Sequence, residues 1–370
     1  MRIGIGVPER LDSNEWNGFR TAFRDIVVAL DEHEKVVFAP GGGDIELQGN
    51  LQDPEDPFNQ YKNTMALSRD FAGKVEKTKP DAILAFNSMG LFLSERFIYH
   101  SSTVPYRKIA ELVKGEYPET EHFRRLLEYY RFVGEKEVDN YKKAEKIIVH
   151  SRKVMEHIIY EHGIDAEKIV YIARPIPKLY SAKKTKNEKM RMILMPAELR
   201  VMKGIRYAIE TMKLLKERMP NAVLIICGRI NNYEQEYMKE LLKEAKGKAN
   251  IIVAGFVPKE QLHRYMKMAE CAFMPFCFDE CPIALSECIG HGLPVVTNEY
   301  AGFEREVINK FGYCARHKDI NDYAEGLTRI LSDESLQQEK REGTRKVMEE
   351  FNFDSYKKEV NNVFEEFGKG

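Results

Sequence analysis

Ala272-Phe273-Met274-Pro275-Phe276 is followed by Asp279-Glu280-Cys281-Pro282-Ile283-Ala284-Leu285-Ser286-Glu287, and then by Ile289-Gly290-His291-Gly292-Leu293-Pro294-Val295-Val296. The stretch reads as an apolar strand, a turn, a helix start and the approach to a further strand. Pro282 suits the first helical position, where its missing N–H costs nothing, and Gly292 suits the position just past the helix end. A helix start offers unpaired N–H groups to a phosphate, and carboxylates accept hydrogen bonds from hydroxyls. With Asp279 at one edge of the turn and Glu287 eight positions on, the combination suits a ligand that carries both phosphate and sugar. Taken singly, Asp279 reads equally as a helix cap and Glu287 as one solvated helical acid.

Working outward, short β-rich runs alternate with longer amphipathic helical patterns, which predicts parallel sheets with crossover helices. Strands are expected at 2–7, 35–39, 82–86, 96–100 and 146–150, and then at 192–196, 223–228, 251–254, 271–276 and 294–298. At 370 residues and 43% apolar composition the chain can bury two cores. The pair Pro175 and Pro177, followed by a lysine-rich polar run at 181–189, marks the expected linker. The fold class that follows is α/β, two Rossmann-like doubly wound domains facing across a cleft. The expected domains are 1–175 and 176–353. Ligands of such open sheets bind beyond the carboxyl ends of the strands.

Charged residues amount to 31% but nearly cancel, leaving a formal net charge of −1. No global attraction to nucleic acid follows. The opening Met1-Arg2-Ile3-Gly4-Ile5-Gly6-Val7 lacks the pattern of a secretory signal, and no apolar run is long enough to span a bilayer. A soluble, cytoplasmic protein is expected. Six cysteines without a Cys-x-x-Cys pair read as reduced core thiols. The segment 106–132 mixes basic and aromatic residues, including Arg124-Arg125 and Tyr129-Tyr130-Arg131. It reads either as a surface helix with a core-facing aromatic stripe or as a face for peripheral contact with an anionic membrane. His157 and His162, five apart, are expected on different sides of a helix, and His291 near a helix end.

The segment Asp279 to Glu287 resembles the signature of retaining glycosyltransferases of family 4, a group that includes bacterial glycogen synthases and phosphatidylinositol mannosyltransferases. There the two acids, normally both Glu, lie eight apart; Asp279 departs by one methylene. In Ala197-Glu198-Leu199-Arg200-Val201-Met202-Lys203-Gly204 the closing Lys-Gly matches the family, while Glu198 stands where an arginine is usual and Arg200 two positions late. The resemblance implies that Lys203 and Arg200 meet a diphosphate, with the N–H groups at Pro282, Ile283 and Ala284. It also implies that Glu287 holds the ribose, that Phe256 and Val257 lie against the base, and that Asp279 grips the donor sugar. Gly18 matches the second glycine of a family loop, Asn17 replacing the first. Phe97-Ile98-Tyr99-His100-Ser101-Ser102-Thr103 resembles a mannosyltransferase stretch whose histidine lies beside the reacting sugar. The final segment, at about 354–370, resembles the family's terminal helix, and only that resemblance implies that it joins the first domain.

The reaction so implied is retaining transfer of a hexosyl unit from a UDP-sugar or GDP-sugar to a hydroxyl acceptor, saccharide or lipid. Lys203, Arg200 and the helix start would stand in for a metal ion at the departing diphosphate. An epimerase of nucleotide sugars on the same scaffold and a non-catalytic nucleotide-sugar-binding protein remain as alternatives.

Overall fold

A computed structural model describes residues 1–12, 18–49, 57–101, 106–179 and 190–369. Asn17, Ser102, Thr103 and the run at 181–189 lie outside the described residues. The chain groups into two units. One comprises Met1–Lys114, Glu119–Arg174 and Asp354–Gly370; the other comprises Gly115–Pro118 and Pro175–Phe353.

The first unit holds strands β1 (Arg2–Gly6), β2 (Glu34–Ala39), β3 (Ile45–Glu46), β4 (Ala82–Phe86), β5 (Ile98–His100), β6 (Lys146–Val149) and β7 (Ile169–Tyr171). They form one sheet in the order β3-β2-β1-β4-β5-β6-β7, with every pair parallel. The second unit holds β8 (Arg191–Pro196), β9 (Ala222–Cys227), β10 (Ile251–Gly255), β11 (Cys271–Phe273), β12 (Val295–Asn298) and β13 (Gly312–Ala315). Its order is β10-β9-β8-β11-β12-β13, again parallel throughout. Both orders are doubly wound, because the winding reverses beside the first strand of each sheet.

The strands explain themselves as apolar runs covered on both faces by crossover helices. All five residues of β4 and the last five of β8 are buried. Strand β10 lies at an edge and leaves Ile252 and Val253 exposed. Helix ends carry local caps: Thr120 accepts the N–H of Phe123 for the helix Glu121–Lys143, and Asp319 accepts that of Asp322 for Ile320–Ser332. All six cysteines are free thiols, five of them buried.

β11 stops at Phe273, short of the expected 276. Pro275, which has no N–H to give a ladder, follows two residues later. Strands β3, β7 and β13 were not anticipated. All three lie at sheet edges and have only two, three and four residues, so none needs a long apolar run.

Candidate functional site

In the second unit the winding reverses between β8 and β11, which are hydrogen-bonded neighbours. The chain leaving β8 runs through the 3-10 turn Val201–Lys203; the chain leaving β11 runs through Pro275 to Asp279. These two loops are bonded to each other. The N–H of Cys277 donates to the Met202 carbonyl at 3.0 Å, and its thiol to the Val201 carbonyl at 3.4 Å. Gly204 closes the first loop with φ 76°, and a Cβ there would stand 1.8 Å from the carbonyl oxygen of Pro275. Only glycine meets both demands.

Lys203 and Asp279 form an ion pair across the loops, and the Lys203 ammonium lies 5.4 Å from the centre of the Phe276 ring. Asp279 is braced from β12: its N–H donates to the Tyr300 carbonyl at 2.7 Å, and the N–H of Tyr300 donates to Asn298 Oδ1 at 2.8 Å. Asn298 is buried and its Nδ2 donates to the Phe276 carbonyl at 2.8 Å. One side chain thus ties the loop to the sheet.

The helix after the turn spans Ile283–Gly290. Pro282 is its N-cap rather than its first residue, and its carbonyl accepts the N–H groups of Leu285 and Ser286. The N–H groups of Ile283 and Ala284 have no acceptor among the described residues. Gly292, with φ 69°, follows the C-cap His291. Glu287 is buried in the second turn, with Lys259 Nζ 3.2 Å from its Oε1. Phe256 is 59% exposed, and the Arg229 guanidinium covers its ring at 4.5 Å. Val257 packs at the edge of the core that includes Leu194 and Met274.

Arg200 lies 3.5 Å from Glu198 and 3.8 Å from Glu234. Glu198 also accepts from Asn231 Nδ2 at 3.1 Å. Its charge, which would repel a diphosphate, is therefore matched by a guanidinium and an amide. Each acid that the sequence singled out here is paired with a base: Asp279 with Lys203, Glu287 with Lys259, Glu198 with Arg200. The contributions of Lys259 and Glu234 were not read from the sequence. Both lie in polar stretches whose pairing is set by the tertiary fold.

Gly18 and His100 belong to the first unit. Gly18 opens the helix Gly18–Ala29 that follows β1. His100 ends β5 beside β4, one strand out from that sheet's own reversal between β1 and β4. An imidazole presented to ligand was expected there, yet the ring is wholly enclosed. It stacks on Phe86 at 4.3 Å, and its Nε2 lies 3.0 Å from Nε2 of His150. Since His150 Nδ1 donates to the Ile172 carbonyl at 2.7 Å, His150 Nε2 is the acceptor and His100 the donor. Burial holds both rings neutral, His100 well below the usual histidine range and His150 at about 3, with neighbouring Arg174 pushing the same way.

His157 and His162 differ from expectation, with ring centres 4.8 Å apart in edge contact at the end of the helix Arg152–His162. His291 caps its helix but is buried, its ring 4.9 Å from that of His263. On the helix Glu121–Lys143, Tyr129 and Tyr130 are buried while Arg124, Arg125 and Arg131 are exposed. Arg124 pairs with Glu121 at 3.0 Å. That is the pattern of an ordinary surface helix with a core-facing aromatic stripe. No helix among the described residues is long and apolar enough to cross a membrane.

The family model described as "Glycosyl transferases group 1" matches residues 178–347. An uncharacterized glycosyltransferase of Methanocaldococcus jannaschii is 28% identical over 176 residues, covering 47% of this chain and 44% of that protein. The chain spans about half the length of the curated relatives it matches. Among solved structures, WaaG, a glycosyltransferase involved in lipopolysaccharide biosynthesis, aligns with TM-score 0.74 at 18% identity over 98% of this chain and 99% of its own. Anabaena HepE, solved with UDP and glucose, aligns with TM-score 0.71 at 16% identity over 99% of this chain and 100% of its own. The architecture is that of GT-B glycosyltransferase structures such as WaaG.

Proposed function

We propose that the protein is a retaining glycosyltransferase that moves a hexosyl unit from a nucleoside diphosphate sugar to a hydroxyl acceptor. One observation carries the reading. At the reversal point of the second sheet a lysine and an aspartate meet beside a helix start with two N–H groups unpaired among the described residues. In the transition state negative charge grows on the departing diphosphate, and fixed cations and N–H dipoles stabilise it in place of a metal ion. Lys203, assisted by Arg200, and the N–H groups of Ile283 and Ala284 take that part. Glu287 accepts the ribose hydroxyls, Phe256 and Val257 border the base, and Asp279 orients the sugar. Pro282 sets the helix start that presents the N–H groups. In the first unit Gly18 opens the helix that follows β1, and His100, being enclosed, acts by holding the end of β5.

The acceptor is a saccharide or lipid hydroxyl. The relatives are named as glycosyltransferases, which favours this reading over an epimerase or a non-catalytic binder. Thermal denaturation with UDP, GDP and their sugar conjugates tests it, because a ligand that binds only the native state raises the midpoint with concentration. The matching nucleotide should stabilise the wild-type protein, and Lys203→Ala and Glu287→Ala should each abolish most of that gain. No stabilisation by any nucleotide, or full stabilisation of both variants, overturns the proposal. Isomerised sugar formed from donor alone would indicate the epimerase.

A further inference from the structure

The second unit contains a buried acid that the proposed chemistry leaves without a task. Glu234 ends the 3-10 turn Asn232–Glu234 and is 1% exposed. Its Oε2 accepts the N–H of Val201, the first residue of the turn that carries Lys203. Its Oε1 accepts the hydroxyl of Tyr117 at 3.0 Å and lies 3.8 Å from Arg200 Nε. The rest of the turn closes on itself, with Lys203 N–H donating to the Arg200 carbonyl at 3.0 Å and Gly204 N–H to the Val201 carbonyl at 2.8 Å. The N–H of Val201 is the donor such a turn leaves over at its start.

The segment that brings Glu234 there is itself fixed. Beyond the ends of β8 and β9 the two chains continue side by side, Leu199 N–H donating to the Arg229 carbonyl at 2.8 Å and Asn231 N–H to the Leu199 carbonyl at 3.1 Å. The Asn231 side chain then accepts the N–H of Tyr233 at 3.1 Å, capping the turn that ends in Glu234. Tyr117 comes from the short segment Gly115–Pro118, which groups with this unit. Burial raises the pKa of the Glu234 carboxyl, while Arg200, Val201 and Tyr117 oppose the rise.

We infer that Glu234 is a positioning residue for the anion-binding turn: by capping Val201 it fixes the backbone that presents Lys203. This rests on the reading that Lys203 receives the donor's diphosphate. The cap matters because a charge aimed by a rigid backbone need not be ordered at the moment of binding.

Titration calorimetry with UDP and GDP on the full chain tests it, using Glu234→Ala, Glu234→Gln, Lys203→Ala and the Glu234→Ala/Lys203→Ala double variant. Glu234→Ala should weaken nucleotide binding about tenfold, a cost in keeping with a displaced cationic contact. Glu234→Gln should recover most of it, since the amide oxygen can accept from Val201 while the amide nitrogen donates to the Tyr117 oxygen. In the Lys203→Ala background the alanine at 234 should cost nothing further, because residues acting through one group are not additive. Should Glu234→Ala fail to fold, Glu234→Gln compared with Tyr117→Phe/Glu234→Gln takes its place, the second losing affinity once the amide has no partner oxygen. Wild-type affinity in Glu234→Ala, an undiminished loss without Lys203, or no recovery with glutamine overturns the inference. Wild-type affinity in Lys203→Ala overturns the donor reading itself.

Discussion

Lys203 and Asp279 are given different tasks by the donor reading, one on phosphate and one on sugar, yet in the structure they neutralise each other. A diphosphate arriving at Lys203 competes with the Asp279 carboxylate for the same ammonium, and the carboxylate so released is the one required at the sugar. Two opposite consequences of Asp279→Asn can therefore be told apart. If the carboxylate competes, the amide variant should bind UDP or GDP roughly tenfold tighter, a change of the size expected for one close charge pair, while turnover falls. If the carboxylate serves only to hold the lysine in place, affinity should fall along with turnover. Calorimetry and steady-state rates on the same preparation decide, and competition is the expected outcome, because the backbone of the turn is already fixed through Val201, Cys277 and Gly204.

Among elements, the contact between the helices Tyr106–Leu112 and Glu121–Lys143 depends on an acid with no charged partner among the described residues. Glu137 is 3% exposed and its Oε2 accepts the Tyr106 N–H at 2.8 Å. Gly134, one turn earlier, lets the helices meet closely: a Cβ there would lie 2.6 Å from the Arg107 nitrogen. Burial pushes the Glu137 carboxyl up to about 8, with the Tyr106 N–H pulling weakly the other way. Its folded pKa thus lies above its unfolded value near 4.5. Between those values the folded chain holds a proton that the unfolded chain has lost, so stability falls as pH rises through that window. Glu137→Gln keeps an acceptor for Tyr106 and never ionises. Its melting midpoint should match wild type near pH 5 and exceed it by a few degrees near pH 9. A difference that does not change with pH would mean that Glu137 is already charged in the folded protein.

The elements also show what the sequence could tell. Buried parallel strands are short apolar runs, so ten strands were legible to within a few residues from Ile3, Leu84, Leu194 and their neighbours. β3 was not, being two residues on an edge, nor was β7, which borrows its partners from β6. The acids at 279 and 287 stood out because the turn between them has a spacing of its own. Glu234 did not, because its partners lie 33 residues away at Val201 and 117 away at Tyr117. The enclosure of His100 was illegible for the same reason: it depends on Phe86 and His150, which only the sheet brings beside it.

At the scale of the whole molecule, neither unit is continuous in sequence, and the last helix shows the consequence. Phe353–Lys369 adjoins the second unit along the chain, but its residues from Asp354 onward group with the first. Lys357 pairs with Asp31 at 2.7 Å, Asn361 Nδ2 donates to the Ala29 carbonyl at 2.9 Å, and the Arg96 guanidinium lies 4.8 Å over the Phe367 ring. Tyr356, Val360, Val363, Phe364 and Phe367 are buried. Five such side chains stabilise by on the order of 10 kcal/mol together, which rivals the whole net stability of an ordinary domain, about 5–15 kcal/mol. Removing 353–370 should therefore unfold the first unit, whereas the six-stranded sheet of the second draws none of its strands from that helix. Far-ultraviolet circular dichroism of the truncated chain should show part of the helical signal lost at room temperature and one remaining heat transition. If nucleotide binding resides in the second unit, UDP or GDP should still raise the midpoint of that transition. Loss of every cooperative transition would show instead that the second unit cannot fold without the first, and an unchanged melt would show that the helix contributes little to either.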